Sequence, residues 1–97
     1  MSALMIAQFT VKDPEKFKEY VAKAPQTMAP YEGKALFRGR ADKTLTGGSN
    51  DHAIAVIFEF PSLAKIDEWY NCDAYQPLKA LRDEGADFRM TSYDVIA

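Results

Sequence analysis

The sequence contains very little cysteine or histidine, with one residue of each, Cys72 and His52. A single cysteine cannot form an internal disulfide, which favours a reducing compartment. His, Cys, Asp and Glu form no cluster with the spacing of metal ligands, so a zinc-type site is not expected. Gly47 and Gly48 lack the lysine and hydroxyl positions of a phosphate-binding loop. We therefore predict no metal and no cofactor.

Long hydrophobic runs and an excess of basic charge are also missing. No apolar run approaches the roughly 18 residues of a membrane-spanning helix. The N-terminal stretch has no basic start and Gln8 interrupts it, unlike a secretory signal. Lysine and arginine number 12 against 14 acidic residues, for a formal net charge of −2. We therefore expect a cytoplasmic protein of bacterial type that binds neither nucleic acid nor a membrane.

The chain is small but has an ordinary apolar content. Its 97 residues fit one domain spanning residues 1–97, and 47% of them are hydrophobic. A chain of this length leaves a large share of its surface exposed after folding. The position of the apolar residues therefore decides whether one copy can bury them.

Apolar spacing predicts four strands and three helical segments. The predicted strands are 3–11, 34–46, 52–60 and 87–96, a turn covers 46–51, and the helices start near Pro14, Ser62 and Asp73. Asp13 suits the N-cap of the first helix, and Asp73 with Gln76 resembles a capping box for the third. Pro25 is expected to kink or restart the first helix, and Gly85 to end the last.

The order strand, helix, strand, strand, helix, strand is typical of an α+β, ferredoxin-like fold with a four-stranded antiparallel sheet. The two helical regions of this order can cover only one face of such a sheet. Strands 3–11 and 52–60 are apolar on both faces, so the second face, with Leu4 and Ile6, stays open and apolar. A second copy packed sheet against sheet through a two-fold axis would cover it, which predicts a homodimer.

Several motifs resemble one protein family. The run Ile57–Arg82, IFEFPSLAKIDEWYNCDAYQPLKALR, is similar to the signature region of the bacterial "domain of unknown function 1330" family. Asp-Pro followed by Phe-x-x-Tyr within 13–20, and Tyr-x-Gly before Arg-Gly within 31–39, are similar as well. This resemblance implies a ferredoxin-like subunit that pairs into a dimeric α+β barrel. The chain departs from the pattern at Glu32, in place of a glycine, and at Cys72, where serine is common.

Arg38 and Glu59 are the first candidate site residues. A hairpin turn centred between Gly48 and Ser49 would place them opposite each other on neighbouring strands. A guanidinium and a carboxylate can anchor an acidic or carbonyl ligand and supply a base, which would make both residues catalytic. They can equally form a structural cross-strand ion pair. A register slip of one residue would separate them onto opposite faces.

Four further residues are predicted to bind a ligand: Tyr20, Tyr70, Tyr75 and Arg82. Buried tyrosines need a partner for the hydroxyl, which suits them to a pocket wall. The alternative is a packing or surface role, with the arginine stem lying on apolar surface. Trp69 is expected in the core, because helical aromatics at this spacing usually pack there.

Two functional hypotheses of different class follow. In the first, a homodimer binds a small acidic or carbonyl-bearing organic molecule, either as a binding protein or as a cofactor-independent enzyme. Fold relatives of the second kind include monooxygenases and lactone isomerases. In the second, a non-catalytic interaction dimer has a packed interior. A haem-handling barrel would need an axial ligand, for which His52 is the only obvious candidate. A cavity of a few hundred cubic ångströms with convergent arginine, glutamate and tyrosine would favour the first hypothesis.

Overall fold

The computed structural model describes residues 2–48 and 51–96. Its elements are β1 (Ala3–Val11), α1 (Pro14–Met28), β2 (Lys34–Arg40), β3 (Ile54–Phe60), α2 (Leu63–Tyr70), α3 (Gln76–Gly85) and β4 (Ala86–Asp94), with a 3₁₀ turn at Ala29–Tyr31. The strands form one antiparallel sheet in the order β2-β3-β1-β4. The predicted ferredoxin-like α+β fold is confirmed.

The first helix begins where its cap was predicted. The Asp13 carboxylate accepts hydrogen bonds from the backbone N–H groups of Glu15, at 3.1 Å, and Lys16, at 3.3 Å. These bonds satisfy two of the amides that a helix start leaves unpaired. Pro25 lies inside α1, which continues to Met28. The predicted restart at this proline therefore does not occur.

The predicted capping box of the third helix is wrong. The helix begins at Gln76, and the preceding residue, Tyr75, provides no side-chain cap. The Gln76 amide instead donates to the carbonyl oxygens of Tyr70, at 3.0 Å, and Cys72, at 3.1 Å. This side chain closes the turn between α2 and α3, so Asp73 has no capping role.

The second and third strands are shorter than predicted, and both lose residues at the end next to the hairpin turn. The second strand stops at Arg40 rather than residue 46, and the third starts at Ile54 rather than residue 52. His52 precedes β3 and is buried, with its Nδ1 atom 3.0 Å from the Thr10 hydroxyl. The predicted turn at 46–51 includes Ser49 and Asn50, which lie outside the described residues.

A bulge in β2 sets the register of the hairpin. On either side of Leu36 the partners are Lys34↔Glu59, Ala35↔Phe58, Phe37↔Ile57 and Arg38↔Val56. The second strand therefore carries one extra residue, which changes the face that every later side chain occupies.

The core lies between the helices and one face of the sheet. Trp69 is fully buried there, as predicted, and its indole N–H donates to the Thr27 hydroxyl at 2.8 Å. The other buried apolar residues include Met5, Ala7, Phe9, Tyr20, Ala24, Met28, Val56, Phe60, Ile66, Tyr75 and Leu78. These side chains fix the positions of α1, α2 and α3 over the sheet.

None of the helices within residues 2–48 and 51–96 lies over the opposite face of the sheet. Ile6 on β1 pairs with Ile57 on β3 on this face, and both side chains, like that of Leu4, remain partly exposed. Phe37 on β2 is 51% exposed, and Tyr93 on β4 is 48% exposed. An apolar surface therefore runs across all four strands, and we call it the open sheet face.

Within residues 2–48 and 51–96, no helix has the length and apolarity that crossing a membrane requires.

Candidate functional site

A pocket of about 280 Å³ lies between the sheet and the helices on the β4 side. Its walls are Met5, Ile66, Asp67, Tyr70, Arg82, Phe88, Met90 and Ser92. The sheet supplies most of the apolar wall and the helices most of the polar wall. This volume is close to the roughly 300 Å³ at which small-molecule pockets begin. We call it the tyrosine–arginine pocket.

Arg82 organises the polar wall. Its Nη1 atom donates to the hydroxyl of Tyr70 at 3.1 Å and to that of Tyr75 at 3.4 Å. The Tyr75 hydroxyl is in turn 2.8 Å from the hydroxyl of Tyr20. The structure thus brings together all four residues that the sequence predicted for ligand binding. Their binding of a ligand remains a prediction.

Ring packing holds these hydroxyls in place. Tyr70 ends α2, Tyr75 lies in the following turn, and their ring centroids are 5.5 Å apart. Tyr75 also packs on Trp69 at 4.4 Å, and Lys79 lies 4.0 Å above the centre of the Tyr70 ring. Because stacked aromatic pairs have preferred geometries, the rings cannot easily turn away from Arg82.

Burial keeps the inner hydroxyls neutral. Burial raises the pKa of Tyr20, and the neighbouring Tyr75 raises it further. Burial also raises the pKa of Tyr75, although hydrogen bonds from Tyr20 and Arg82 oppose the change. For Arg82, burial lowers the pKa, but hydrogen bonds to Asp83, Tyr70 and Tyr75 outweigh it and raise the pKa overall. A guanidinium cation therefore stands beside neutral phenols.

The Tyr70 hydroxyl can donate a hydrogen bond to a ligand. A phenol has one O–H donor and can also accept, and the Tyr70 oxygen already accepts from Arg82. Among the described residues, nothing accepts a hydrogen bond from this hydroxyl. Since Tyr70 lines the pocket, its proton is available to a molecule inside it.

Arg38 and Glu59 do not meet. Arg38 pairs with Val56 and lies on the helix side of the sheet, whereas Glu59 pairs with Lys34 and Leu4 on the open sheet face. The predicted cross-strand pair is therefore wrong: the hairpin register places Arg38 three residues from Glu59 along the ladder, and the β2 bulge puts the two side chains on opposite faces. Arg38 instead lines a groove between α1 and the strands β2 and β3. A joint catalytic role for the two residues has no geometric basis here.

The remaining candidates stand apart from the tyrosine–arginine pocket. The His52 ring contacts Thr10, and Cys72 is a half-buried free thiol in the turn after α2. Burial, followed by the neighbouring Cys72, raises the pKa of the Tyr31 hydroxyl. Across the part of the chain that the structure describes, no three His, Cys, Asp or Glu residues converge as metal ligands.

Sequence reasoning missed two polar members of the pocket wall, Asp67 and Ser92. Asp67 lies three residues before Tyr70 on α2, and residues at that spacing share a helix face. This spacing could have indicated that Asp67 lies on the same side of α2 as Tyr70. Ser92 pairs with Met5 across β4 and β1, so only the sheet register reveals it.

The fold is similar to several solved structures of low sequence identity. A protein of unknown function from Rhodopseudomonas palustris matches with a TM-score of 0.80 and 18% identity, covering 99% of this chain and 83% of that one. SnoaB, a cofactor-independent oxygenase from Streptomyces nogalater, matches with a TM-score of 0.69 and 12% identity, covering 99% and 94%. A dimeric ferredoxin-like protein of unknown function from Jannaschia sp. CCS1 matches with a TM-score of 0.69 and 9% identity, covering 98% and 100%. At these identities the likeness shows the fold alone.

No curated protein matches the chain. The family model described as "Domain of unknown function (DUF1330)" matches residues 2–95, which is nearly the whole sequence. The motifs around Asp13, Tyr31 and Trp69 had indicated the same family. The chain therefore belongs to the DUF1330 family.

Proposed function

We propose that this protein is a homodimer in which each subunit binds a small acidic or carbonyl-bearing organic molecule in the tyrosine–arginine pocket. The observation that carries the proposal is the position of Arg82. Its guanidinium is buried against two tyrosine hydroxyls and faces a cavity of about 280 Å³. A cation held at a pocket wall favours an anionic or strongly polar acceptor.

The donors at this wall match a carboxylate or carbonyl oxygen. Tyr70 can donate its hydroxyl proton, and Arg82 adds positive charge beside it. The Arg82 contact to Asp83, at 3.0 Å, involves a carboxylate whose side chain is 66% exposed. Exposed ion pairs contribute little, so a ligand carboxylate can compete with Asp83 for the guanidinium.

The opposite wall suits an apolar body. Met5, Phe88 and Met90 present hydrocarbon, aromatic and thioether surface to the cavity. Methionines adapt their shape to irregular ligands, and sulfur packs well against aromatic rings. A small ring or short branched chain bearing one acidic or carbonyl group fits this division of the walls.

An enzymatic role is supported by one neighbour and by the donor arrangement. The solved structure of SnoaB is that of a cofactor-independent oxygenase. Fixed donors beside a developing oxyanion lower the free energy of a transition state. Tyr70 and Arg82 would act in this way on an enolate or phenolate oxygen. The alternative of a dimer with a packed interior is disfavoured by the cavity itself.

Benzoate is a suitable probe for the pocket, titrated against the ¹⁵N-labelled dimer and followed by NMR shifts. We expect Arg82→Gln to weaken benzoate binding roughly tenfold, because it removes a charged donor. Tyr70→Phe should weaken it severalfold. Lys43→Gln is the control for loss of one positive charge, since Lys43 lines neither this pocket nor any other described hollow, and it should leave the affinity unchanged. Equal affinities in wild type and Arg82→Gln would refute the proposed site.

The homodimer is supported by the open sheet face and by neighbours described as dimeric. Exposed apolar surface that spans four strands usually marks an interface. We expect sedimentation equilibrium to give about 22 kDa, twice the 10.9 kDa of one chain. Ile57→Glu should shift the species to the monomer, because it places a charge at the centre of that face. Ala64→Glu adds the same charge on exposed α2 and should stay dimeric.

A further inference from the structure

A groove runs between α1 and the neighbouring strands β2 and β3, toward the β2 edge of the sheet, whereas the tyrosine–arginine pocket lies on the β4 side. Two adjoining hollows of about 480 and 420 Å³ form it, and Arg38 lines both. A smaller void of about 60 Å³, also lined by Arg38, lies beneath them. We call the whole feature the Arg38 groove. Because Arg38 lines all three hollows, we treat them as one elongated site.

The groove exists because no large side chain fills the space beside α1. The helix-facing position before the bulge is Ala35, which has only a methyl group and is exposed. The bulge then places Arg38 on the same side, opposite Val56. The floor and sides are apolar, with Phe9, Phe17 and Phe58 among them. The outer strand is therefore left without a covering layer on its helix side.

The charge along this groove has one sign. Lys34 lines the 420 Å³ hollow, and Lys18, Arg38 and Arg40 line the larger one. Among the residues that the structure describes, no carboxylate lines any of the three hollows. Within residues 2–48 and 51–96, the side chains of Lys18, Arg38 and Arg40 make no hydrogen bond or ion pair. Clustered cations over an apolar, low-dielectric surface attract an anion more strongly than isolated surface charges do.

Three of the four cations that line the groove gather at the end near Lys18, beside apolar side chains such as Phe17. The fourth, Lys34, lines the far hollow, whose other walls are largely apolar and include Pro25, Met28 and Phe58. Met28 lies ten residues after Lys18, which corresponds to about 15 Å of helix at about 1.5 Å per residue. A ligand that satisfies both ends must be elongated, with a charged head and an apolar tail.

We propose that the Arg38 groove binds an amphiphilic carboxylate, a free fatty acid of medium chain length. The carboxylate contacts Arg38, Arg40 and Lys18, and the hydrocarbon tail lies along α1 toward Met28. The two large hollows share no lining residue with the tyrosine–arginine pocket, although the small void beneath them shares Phe88 and Met90 with it. The inference therefore does not depend on the function proposed above.

Decanoate, below its micelle concentration, is the probe, and 1-decanol is the neutral analogue of equal chain length. NMR titration of the dimer should show shifts concentrated in α1 and β2. Arg38→Gln should weaken decanoate binding roughly tenfold and leave 1-decanol binding within twofold. Lys43→Gln removes one positive charge outside the groove and should change neither affinity. Arg82→Gln should also leave decanoate binding unchanged, which separates this site from the first one.

A second variant tests the tail without touching the charges. Ala35→Phe should fill the middle of the groove and weaken both decanoate and 1-decanol at least tenfold, while circular dichroism confirms the fold. Equal decanoate affinity for wild type and Arg38→Gln would overturn the proposal. Shifts confined to the tyrosine–arginine pocket, or to the open sheet face, would overturn it as well.

Discussion

Arg82 and Arg38 lie on the same side of the sheet, yet they differ in what holds them. Arg82 donates to Tyr70, Tyr75 and Asp83, and its side chain is 12% exposed. Arg38 is exposed and has no partner in the part of the chain that the structure describes. The first arginine is fixed before any ligand arrives, and the second is free to adapt to one.

This difference separates two ways of binding an anion. A fixed guanidinium loses little side-chain entropy on binding, which favours selection of one ligand shape. A guanidinium without fixed partners loses more side-chain entropy on binding, but it can adjust its position to headgroups of different size. The tyrosine–arginine pocket should therefore discriminate between small acids, whereas the Arg38 groove should accept a range of chain lengths.

The largest expected difference between the two regions is in packing. Tyr75→Ala should lower the free energy of unfolding by about 3–5 kcal/mol, because it empties a fully buried aromatic site beside Trp69. Val21→Ala, at the half-buried wall of the groove, should cost less than about 1.5 kcal/mol. Urea unfolding at equal protein concentration measures both. Equal losses would show that the two regions are packed alike.

The two arginines can be compared directly through stability. Arg82→Met should cost about 1–3 kcal/mol, because two tyrosine hydroxyls lose a charged donor. Arg38→Met should change stability by less than about 0.5 kcal/mol, as expected for a surface residue without partners. Thermal and urea unfolding of the pair provide the measurement. A larger loss for Arg38→Met would mean that Arg38 is already engaged in the free protein.

Alkaline pH should lower the free energy of unfolding through Tyr20, whose hydroxyl belongs to the hydrogen-bonded chain behind the tyrosine–arginine pocket. The folded pKa of Tyr20 is raised above its ordinary 10.0 by burial, so the folded state resists losing this proton while the unfolded state releases it. The stabilisation is therefore complete below pH 10 and is lost as the pH rises above 10. Through one such group, the free energy of unfolding falls by roughly 1 kcal/mol by pH 11. Tyr20→Phe should flatten the fall in stability between pH 10 and 11, whereas a slope unchanged by this substitution would contradict the assignment.

The smallest expected effect concerns Lys79 above the Tyr70 ring. Lys79→Met should cost about 0.5–1 kcal/mol, the usual contribution of an exposed cation–π contact. It should also weaken benzoate binding less than twofold, because the Tyr70 hydroxyl keeps its bond to Arg82. Lys65→Met on α2 is the control for loss of a positive charge. A large loss of binding would show that Lys79 positions the ring.

The spacing of apolar residues predicted the fold, because each helix or strand must turn its apolar face toward the core. The stripe Tyr20, Ala24 and Met28 on α1 could point only at the sheet, and the alternation in β1 left Met5 buried and Leu4 on the other face. Local chemistry also predicted the Asp13 cap. These features depend on neighbours in sequence or on one face of one element, which is the information that a sequence holds directly.

The site was predictable only where packing determines it. Tyr20, Tyr70, Tyr75 and Arg82 converge because amphipathic helices bring their inner faces together. The Arg38 prediction needed the register of a hairpin whose loop gives no exact length, and a one-residue error reverses the face. The Tyr20–Tyr75 contact spans 55 positions in sequence and depends on the helix crossing, which no local pattern encodes.

The bulge at Leu36 has an implication for how this family can diversify. Counting across a regular ladder from Lys34 and Glu59, Arg38 would face the same side as Ile57, at the surface where we expect two subunits to meet. The single extra residue transfers that cation to the ligand side without altering any functional side chain. Gain or loss of one amino acid in an edge strand is thus enough to exchange a subunit-contact charge for a ligand-contact charge. Sequence comparison within the family should therefore track the length of this strand, as well as the identity of its residues.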